Sequence, residues 1–236
     1  MKIIPTEYQE LEAICESITK TNARCIACSS PLGKAGTSSL VISIAKRLSG
    51  RNQRVLIIDL NTCHPLNQQE YASLPAQLPN WSFSDISCQL NTQEIENFYF
   101  LSVNQLQDLA LVREKDVFSM AVLMLQQEFD YILFDMSPIC KKNKANFPLQ
   151  LLLSVTDLTL VEIALGETKQ EELDHVVMEL KKSACKHIEF VATQMYMPPL
   201  GELLVSSINN RFAKLPKLKR RLLKLVERQA WLFQGV

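Results

Sequence analysis

The chain is 236 residues long, 47% hydrophobic and 21% charged, with 25 basic residues balanced by 25 acidic ones. This length suits one globular domain or two small ones, and the composition does not resemble a disordered, collagenous or repeat protein. The first residues lack the apolar core of a secretory signal, and the most apolar window, 147–166, is interrupted by Asp157 and Glu162. We therefore expect a cytoplasmic protein that does not span a membrane.

The seven cysteines indicate the redox environment of the chain. Their odd number and their apolar surroundings suit reduced thiols better than a disulfide framework. Cys25 and Cys28 form a C-x-x-C pair on an apparent strand, and no second ligand pair stands at a convincing spacing for zinc. We therefore expect this pair to be two core cysteines.

In chain order, a leading helix is predicted over 6–20, and it is followed by alternating strands and helices. The strands are short apolar segments bounded by polar or turn residues, and each is predicted to be buried and parallel: Arg24–Ser29, Arg54–Asp59, Phe98–Val103, Tyr131–Asp135, Leu158–Ile163 and Ile188–Thr193. Helical patterns lie between them over Ser38–Leu48, Val117–Glu128 and Lys169–Ser183, while 65–97 is the least regular segment. The alternation predicts an α/β fold with a doubly wound, mainly parallel sheet flanked by helices.

A glycine-containing loop follows the first predicted strand. The segment from Ser30 to Ser39 reads Ser-Pro-Leu-Gly-Lys-Ala-Gly-Thr-Ser-Ser and leads directly into the next predicted helix. Glycines allow backbone N–H groups to turn inward, and a helix N-terminus adds partial positive charge. Ligands of open parallel sheets bind at the carboxyl ends of the strands. The order of strand, glycine loop and helix therefore predicts a phosphate-binding loop.

Two aspartates end other strands of the predicted sheet. Asp59 closes the second strand, and Asp135 closes the strand over 131–135. A carboxylate at such a position can hold a magnesium-bound water or a loop serine. Each aspartate alone would be a turn residue at the end of a strand, but the loop and both aspartates in this order predict a nucleotide site. Ser38, Asp59 and Asp135 would then arrange Mg²⁺.

These motifs resemble those of the MinD/ParA branch of the P-loop NTPases, and within it the bacterial tyrosine kinases of capsule and exopolysaccharide synthesis. The resemblance is carried by the leading helix, the loop, and the segments Val55–Pro65, Phe129–Pro138 and Asp157–Thr168, in this order. It implies a P-loop NTPase-like domain over 1–210, with its strand and phosphate loop at 24–39. It also implies ATP or ADP with Mg²⁺ as ligands, and a homodimer.

The same resemblance assigns roles to individual residues. Asp59 matches the catalytic aspartate, and Gln194 lies near the place where the family recognises adenine with an amide side chain. The nucleotide contacts would come from Gly33, Lys34, Ala35, Gly36, Thr37, Ser38, Ser39 and Gln194.

Two departures from the family pattern weaken the expected catalysis. Thr37 stands where the family has its phosphate-binding lysine, and a neutral hydroxyl removes a charge that stabilises the transition state of phosphoryl transfer. Asn61 takes the place of a second acid, and an amide cannot act as a general base. Lys34 lies inside the loop and could direct its ammonium group toward phosphates from another direction. We therefore expect turnover to be weak or absent.

The C-terminal segment 211–236 differs from the rest in charge. It carries eight basic residues and one acid, a net charge of +7 that leaves −7 for the remainder. Pro216 can open a helix in which Leu218, Leu222, Leu225 and Val226 share one face. Such a basic amphipathic helix, over 214–233, suits an anionic membrane surface on the inner face of the cell membrane. An acidic partner and a helix packed on its own sheet stay open, whereas nucleic acid is disfavoured because aromatic residues are not interleaved.

These observations together favour a degenerate P-loop nucleotide-binding protein, or a pseudokinase-like scaffold, in exopolysaccharide or other cell-surface polysaccharide assembly. Its partner would be a polysaccharide-assembly membrane protein or a related kinase. Three alternatives stay open. They are an active ATPase or protein-tyrosine kinase that uses Lys34 or a partner's cation, a MinD/ParA-like protein of spatial localisation, and a nucleotide-free interaction module.

Overall fold

The computed structural model describes residues 3–83, 93–107, 114–141, 143–183, 185–193, 200–212, 215–229 and 232. The chain divides into two compact units. The larger comprises 1–163 and 168–193, and the smaller comprises 164–167 and 194–236. The phosphate loop and both predicted aspartates belong to the larger unit.

The larger unit alternates strands and helices. In chain order, its elements are α1 (Gln9–Lys20), β1 (Cys25–Ser29), α2 (Thr37–Ser49), β2 (Val55–Leu60), β3 (Gln93–Ile95), β4 (Phe98–Ser102), a 3₁₀ turn (Val103–Gln105), α3 (Lys115–Glu128), β5 (Tyr131–Met136), α4 (Leu149–Val155), β6 (Leu158–Ala164), α5 (Gln170–Lys181) and β7 (His187–Thr193). The last residue of β6, Ala164, is already assigned to the smaller unit, which otherwise contains α6 (Leu200–Arg211) and α7 (Pro216–Glu227). These two helices contact each other.

The described strands form one seven-stranded sheet in the order β3-β4-β2-β5-β1-β6-β7. Strands β4, β2, β5, β1 and β6 run parallel, whereas β3 pairs with β4 in the antiparallel direction. The register places Asp59 of β2 directly beside Asp135 of β5, and Asp135 beside Cys28 of β1. The predicted doubly wound, mainly parallel sheet is confirmed.

Helices cover both faces of the sheet, which explains why its central strands are apolar on both sides. Ile26, Ile57 and Leu133 face one apolar layer, which includes Leu11 of α1 and Leu40 of α2. The alternate strand residues face a second layer with side chains of α3, α4 and α5, among them Phe118, Leu152 and Val176. Strands β1 and β2 are buried over their whole length. The core therefore holds the carboxyl ends of β1, β2 and β5 in fixed register.

Several sequence-based expectations need correction. Strand β7 was predicted to be buried, but it lies at an edge of the sheet, where the side chains of Ile188 and Phe190 are 38% and 48% exposed. An edge strand has one neighbour instead of two, so its faces are less completely covered. Helix α1 begins at Gln9 because Tyr8 has an extended backbone, with φ −70° and ψ 135°. The sequence analysis did not predict β3, α4 or α6.

The cysteines of the described residues are unbridged. Cys15, Cys25 and Cys28 are buried, and burial raises the pKa of the Cys25 thiol to about 12. A thiol with such a pKa is a poor nucleophile and a poor metal ligand at neutral pH. The C-x-x-C pair is therefore part of the core. In the described part of the chain, no helix is both long and apolar enough to cross a lipid bilayer.

Candidate functional site

The phosphate loop lies between β1 and α2, and its backbone has an unusual conformation. Gly33, Lys34 and Gly36 have positive φ angles of 87°, 62° and 103°. Gly36 is the N-cap residue of α2, and its carbonyl accepts a hydrogen bond from the Leu40 amide at 2.9 Å. Backbone turns of this kind form concave nests of N–H groups at a helix N-terminus, where anions bind. The positive φ angles and the helix N-terminus that follows them are compatible with a phosphate site.

The segment after β5 supports this loop from one side. Ile139 and Cys140 donate backbone hydrogen bonds to the carbonyls of Ser30 (2.9 Å) and Pro31 (3.0 Å). Within the loop, the Gly33 amide donates to the Ser30 hydroxyl at 3.1 Å. A Cβ atom added at Gly33 would lie 2.9 Å from Cγ of Pro138. Position 33 therefore requires glycine for its φ angle and for this close approach.

Three fully buried carboxylic acids lie beneath the loop, on three strands: Asp59, Asp135 and Glu162. Asp59 and Asp135 are in register, and Cys28 is in register with both Asp135 and Leu160. Because side chains alternate along a strand, Glu162 projects from the same face as Leu160. That face is covered by α2, which begins at Thr37. Glu162 was not among the predicted site residues, although an acid inside an otherwise apolar strand was a usable signal.

The carboxylate of Asp59 organises the chain that follows β2. Its two oxygens accept backbone hydrogen bonds from Asn61 at 2.9 Å and Leu66 at 2.8 Å. The Asn61 side chain in turn accepts from the His64 amide at 3.1 Å. Burial and the charge of Asp135 raise the pKa of Asp59, against the two backbone hydrogen bonds. In this conformation, Asp59 and Asn61 both act as acceptors that fix the 60–66 loop.

Asp135 has a different environment, which fits a hydrated cation. Neither of its carboxylate oxygens has hydrogen-bond geometry with any described residue. Burial raises the pKa of Asp135 to about 7, although the nearby Ser38 hydroxyl opposes the shift. A carboxylate and a hydroxyl are the oxygen groups that Mg²⁺ uses when it keeps most of its waters and binds phosphates. Among the described residues, no three His, Cys, Asp or Glu side chains form a direct metal cluster. Ser38 and Asp135 would therefore hold the ion with the help of water and phosphate.

Thr37 lies beside Glu162 at the first turn of α2. Burial and the charge of Asp135 raise the pKa of Glu162 well above its usual value, and interaction with the Thr37 hydroxyl opposes this shift. Neither oxygen of Glu162 has hydrogen-bond geometry with a described residue. At the position where the family resemblance calls for a lysine, the structure thus places a neutral hydroxyl next to a buried acid.

The remaining predicted nucleotide contacts are distributed around the loop. Lys34 is exposed, whereas Ala35 and Ser39 are buried. The Ala35 carbonyl accepts a hydrogen bond from the Thr193 hydroxyl at 3.0 Å, which ties the loop to the end of β7. Gln194, predicted to lie near adenine, is outside the described residues, as are Lys214, Trp231 and Phe233 of the predicted tail helix.

A second lysine, which the sequence analysis did not single out, lies close to the loop. A Cβ atom added at Gly33 would be 3.8 Å from Nζ of Lys141. Lys141 also lines a cleft of about 240 Å³, whose wall includes Ser137 and Asn146. The Asn146 side chain accepts from the Thr62 hydroxyl at 2.5 Å and donates to the Lys141 carbonyl at 2.7 Å. Only the folded chain brings Lys141 and Gly33 together, because they are far apart in sequence.

Comparison with known proteins gives the class of this fold. The structure is similar to the kinase domain of the Escherichia coli tyrosine kinase ETK, with a TM-score of 0.64 and 12% identity over 82% of this chain and 81% of that one. It is also similar to MinD in the MinC:MinD cell division complex of Aquifex aeolicus, with a TM-score of 0.54 and 16% identity over 72% and 68% of the two chains. These likenesses establish the P-loop NTPase fold, as the sequence motifs predicted.

A third solved structure with this fold holds a nucleotide. Cobyrinic acid a,c-diamide synthase from Mycobacterium smegmatis, with bound ADP and magnesium, matches with a TM-score of 0.50 and 16% identity over 72% of this chain and 74% of that one. No model of a protein family matches the sequence, and no curated protein matches it either. The chain therefore has the P-loop NTPase fold, with identities too low to transfer an activity.

Proposed function

We propose that this protein binds a nucleotide at its phosphate loop and acts as a pseudokinase-like scaffold, with weak or no turnover. One observation carries the proposal. The loop before α2 has positive φ angles at Gly33, Lys34 and Gly36 and lies near Ser38 and the buried carboxylate of Asp135, which supports anion and Mg²⁺ binding. The resemblance calls for a phosphate-binding lysine at position 37, where this sequence has threonine. The site supports binding better than it supports phosphoryl transfer.

In this proposal, Gly33, Lys34, Ala35, Gly36, Thr37, Ser38 and Ser39 contact the phosphates, and Gln194 contacts the base. Ser38 and Asp135 hold Mg²⁺, and Asp59 is paired with Asp135 on the neighbouring strand. A bound Mg²⁺ would neutralise part of the phosphate charge. The buried acids beneath the loop favour such a cation, because it offsets their mutual repulsion.

Weak turnover follows from what the catalytic positions offer. Transition-state charge in phosphoryl transfer is stabilised by cations, and a single cation such as an arginine finger contributes about 10³–10⁵ in rate. Thr37 supplies no charge. Asn61 has no basic group, and both oxygens of Asp59 already accept backbone N–H groups. At the end of β2 the candidate base is therefore Asp59, whose carboxylate also holds the 60–66 loop.

Calorimetric titration of the nucleotide-stripped protein with ATP and with ADP, each in the presence of Mg²⁺ and of a chelator, tests the proposal. We expect binding with a Kd of about 1–100 μM, weakened by the chelator, and phosphate release no faster than in a protein-free control. Turnover that disappears in Asp59→Asn would show an active ATPase or kinase instead. Absence of binding at millimolar nucleotide would leave a nucleotide-free interaction module.

We also propose that the scaffold acts in cell-surface polysaccharide assembly, with a membrane protein of that machinery or a related kinase as partner. The support is the sequence resemblance, together with a fold shared by a tyrosine kinase domain. Complementation of a deletion strain tests this proposal. We expect wild type to restore surface polysaccharide and Ser38→Ala to restore less. Unaltered polysaccharide in the deletion strain would favour another role, such as MinD/ParA-like localisation.

Helix α7 supports a second proposal, that the protein lies on the inner face of the membrane. None of the helix residues is buried, and Leu218 and Leu225 are 43% and 59% exposed on one face. Basic residues surround this face: Lys217, Lys219, Arg220, Arg221 and Lys224. Such a helix inserts its leucines at the interface of an anionic bilayer while its basic residues contact headgroups.

Co-sedimentation with vesicles tests this location. We expect sedimentation with vesicles that contain phosphatidylglycerol and little with pure phosphatidylcholine. The Leu218→Asp/Leu225→Asp variant should lose binding, while Glu227→Gln serves as a matched surface control. Equal sedimentation of the leucine variant would exclude the membrane role of α7 and favour an acidic protein partner.

A further inference from the structure

The site has an unfavourable charge balance for a nucleotide. A nucleoside triphosphate carries several negative charges, and the phosphate loop rests on three buried acids without a lysine at position 37. Mg²⁺ can offset part of this charge. A further cation within the same chain would stabilise bound phosphates considerably, since electrostatic interactions strengthen at partly buried sites. The described residues offer two lysines at the loop, Lys34 and Lys141.

These two lysines differ in how well their positions are fixed. Lys34 is exposed on the loop itself, so a phosphate contact would compete with water and with side-chain freedom. Lys141 is half-buried, and its backbone is held on both sides. Its amide donates to the Pro138 carbonyl at 3.1 Å, and its carbonyl accepts from the Asn146 side chain at 2.7 Å. The base of the Lys141 side chain is therefore more firmly placed.

The segment that carries Lys141 is also attached to the phosphate loop. Ile139 and Cys140 donate their amides to the loop carbonyls of Ser30 and Pro31, as described above. The Lys141 ammonium group lies within 4 Å of the position of a Cβ atom on Gly33. Among the described residues, it has no carboxylate partner within ion-pair distance. The Lys141 ammonium group thus lies near the loop, and in the part of the chain that the structure describes no carboxylate is within ion-pair distance of it, although Glu179 lines the same cleft.

We propose that Lys141 is the cation that contacts the phosphates of the bound nucleotide, in place of a lysine at position 37. The ligand class is a nucleoside di- or triphosphate, and Lys141 approaches it from the segment after β5 instead of from α2. This inference rests on the proposed nucleotide binding, and it names the group that makes such binding strong in the absence of a lysine at position 37.

Titration of the full chain with ATP and Mg²⁺, for wild type and matched lysine variants, tests the inference. We expect Lys141→Met to weaken ATP binding at least tenfold and Lys141→Arg to retain most of it. Lys34→Met should have a smaller effect. Lys144→Met removes the same charge from an exposed position of the same segment and should bind like wild type. Thermal unfolding without nucleotide checks that each variant is folded.

The outcomes separate this inference from the proposed function. If wild type binds ATP and the Kd of Lys141→Met is within twofold of the wild-type Kd, the role of Lys141 is overturned and nucleotide binding stands. A larger loss in Lys34→Met than in Lys141→Met would assign the role to Lys34. Absence of wild-type binding at millimolar ATP would overturn nucleotide binding itself, and the role of Lys141 with it.

Discussion

Thr37, the first residue of α2, is near the buried acid Glu162 of β6, and its hydroxyl opposes the rise that burial causes in the pKa of Glu162. The sequence resemblance calls for a lysine at position 37, where this chain has threonine. A lysine introduced there would meet Glu162 first.

The Thr37→Lys variant tests this arrangement. We expect the new ammonium group to pair with the Glu162 carboxylate, because a buried acid with a raised pKa gains most from a nearby cation. Thr37→Lys alone should therefore change ATP affinity by less than about threefold, whereas Thr37→Lys/Glu162→Gln should bind at least about tenfold tighter than wild type, or 1.4 kcal/mol. Calorimetry measures both. Equal gains in the single and double variants would show that Glu162 does not restrain the lysine.

The stability of the protein should depend on pH through the buried acids. The pKa of Asp135 is raised from 3.8 to about 7, so the folded state keeps a proton that the unfolded state loses above about pH 4. The stabilising effect of this proton is complete below pH 4 and is lost as pH rises through 7. The free energy of unfolding should thus fall between pH 5 and pH 7.5 in the absence of Mg²⁺.

Urea unfolding at several pH values measures this dependence. Asp135→Asn removes the titrating group and should flatten the curve over this range, with a gain of about 1–3 kcal/mol at pH 7.5. Glu162→Gln should act in the same direction. The exposed Asp116→Asn is a matched control that should leave the slope unaltered. A wild-type stability that rises from pH 5 to 7.5 would contradict the raised pKa of Asp135.

Gly33→Ala should destabilise the protein more than Gly166→Ala. Both glycines have similar positive φ angles, 87° and 85°, so alanine is strained at each by about 1 kcal/mol. Only at Gly33 does a Cβ atom also meet Pro138, at 2.9 Å, whereas nothing lies within 4 Å at Gly166. We expect Gly33→Ala to cost about 1–2 kcal/mol beyond the control in urea unfolding, as overpacking does. Equal losses of unfolding free energy in the two variants would mean that the segment at Pro138 moves aside at little cost.

Asp59→Ala should lower stability as well as any activity. The substitution leaves the buried amides of Asn61 and Leu66 without their acceptor, and each unsatisfied group costs about 1–3 kcal/mol. We expect a loss of about 2–4 kcal/mol in urea unfolding and faster proteolysis within 60–66. A variant of unchanged stability would show that the 60–66 loop finds other partners, and Asp59 could then be assigned a purely catalytic role.

The strands of the sheet could be predicted because each is recognisable from its own few residues. Runs such as Val55–Leu60 are apolar on both faces, and only a buried parallel strand accounts for that pattern. The prediction was wrong for the burial of β7, because alternation and composition do not show which strand has one neighbour. Helix α4 was missed because it lies in a continuous apolar window, where helical periodicity is not visible.

The sequence predicted those site residues whose position follows from the order of strands and loops along the chain. Gly33 and Gly36 lie in the loop after β1, and Asp59 and Asp135 lie near the carboxyl ends of β2 and β5, so the order of strands and loops brought them to one edge of the sheet. The contact between Lys141 and Gly33 depends instead on how the segment after β5 folds back on the loop. No pattern near Lys141 indicates this. Glu162 is an acid in an apolar strand. This pattern indicates a site residue only when it is known from which face of the sheet the side chain projects.

The hydrogen bonds from Ile139 and Cys140 to the phosphate loop join two binding surfaces through one rigid connection. The same segment forms a wall of the 240 Å³ cleft on its other side. Because one segment contributes to both, a ligand that displaces the loop would also displace this wall, and a molecule that displaces the wall would act on the loop. Thermodynamic reciprocity then requires that each ligand change the affinity of the other by the same factor. If the proposed nucleotide binding displaces the loop, a second molecule in the cleft would sense nucleotide occupancy without any hydrolysis.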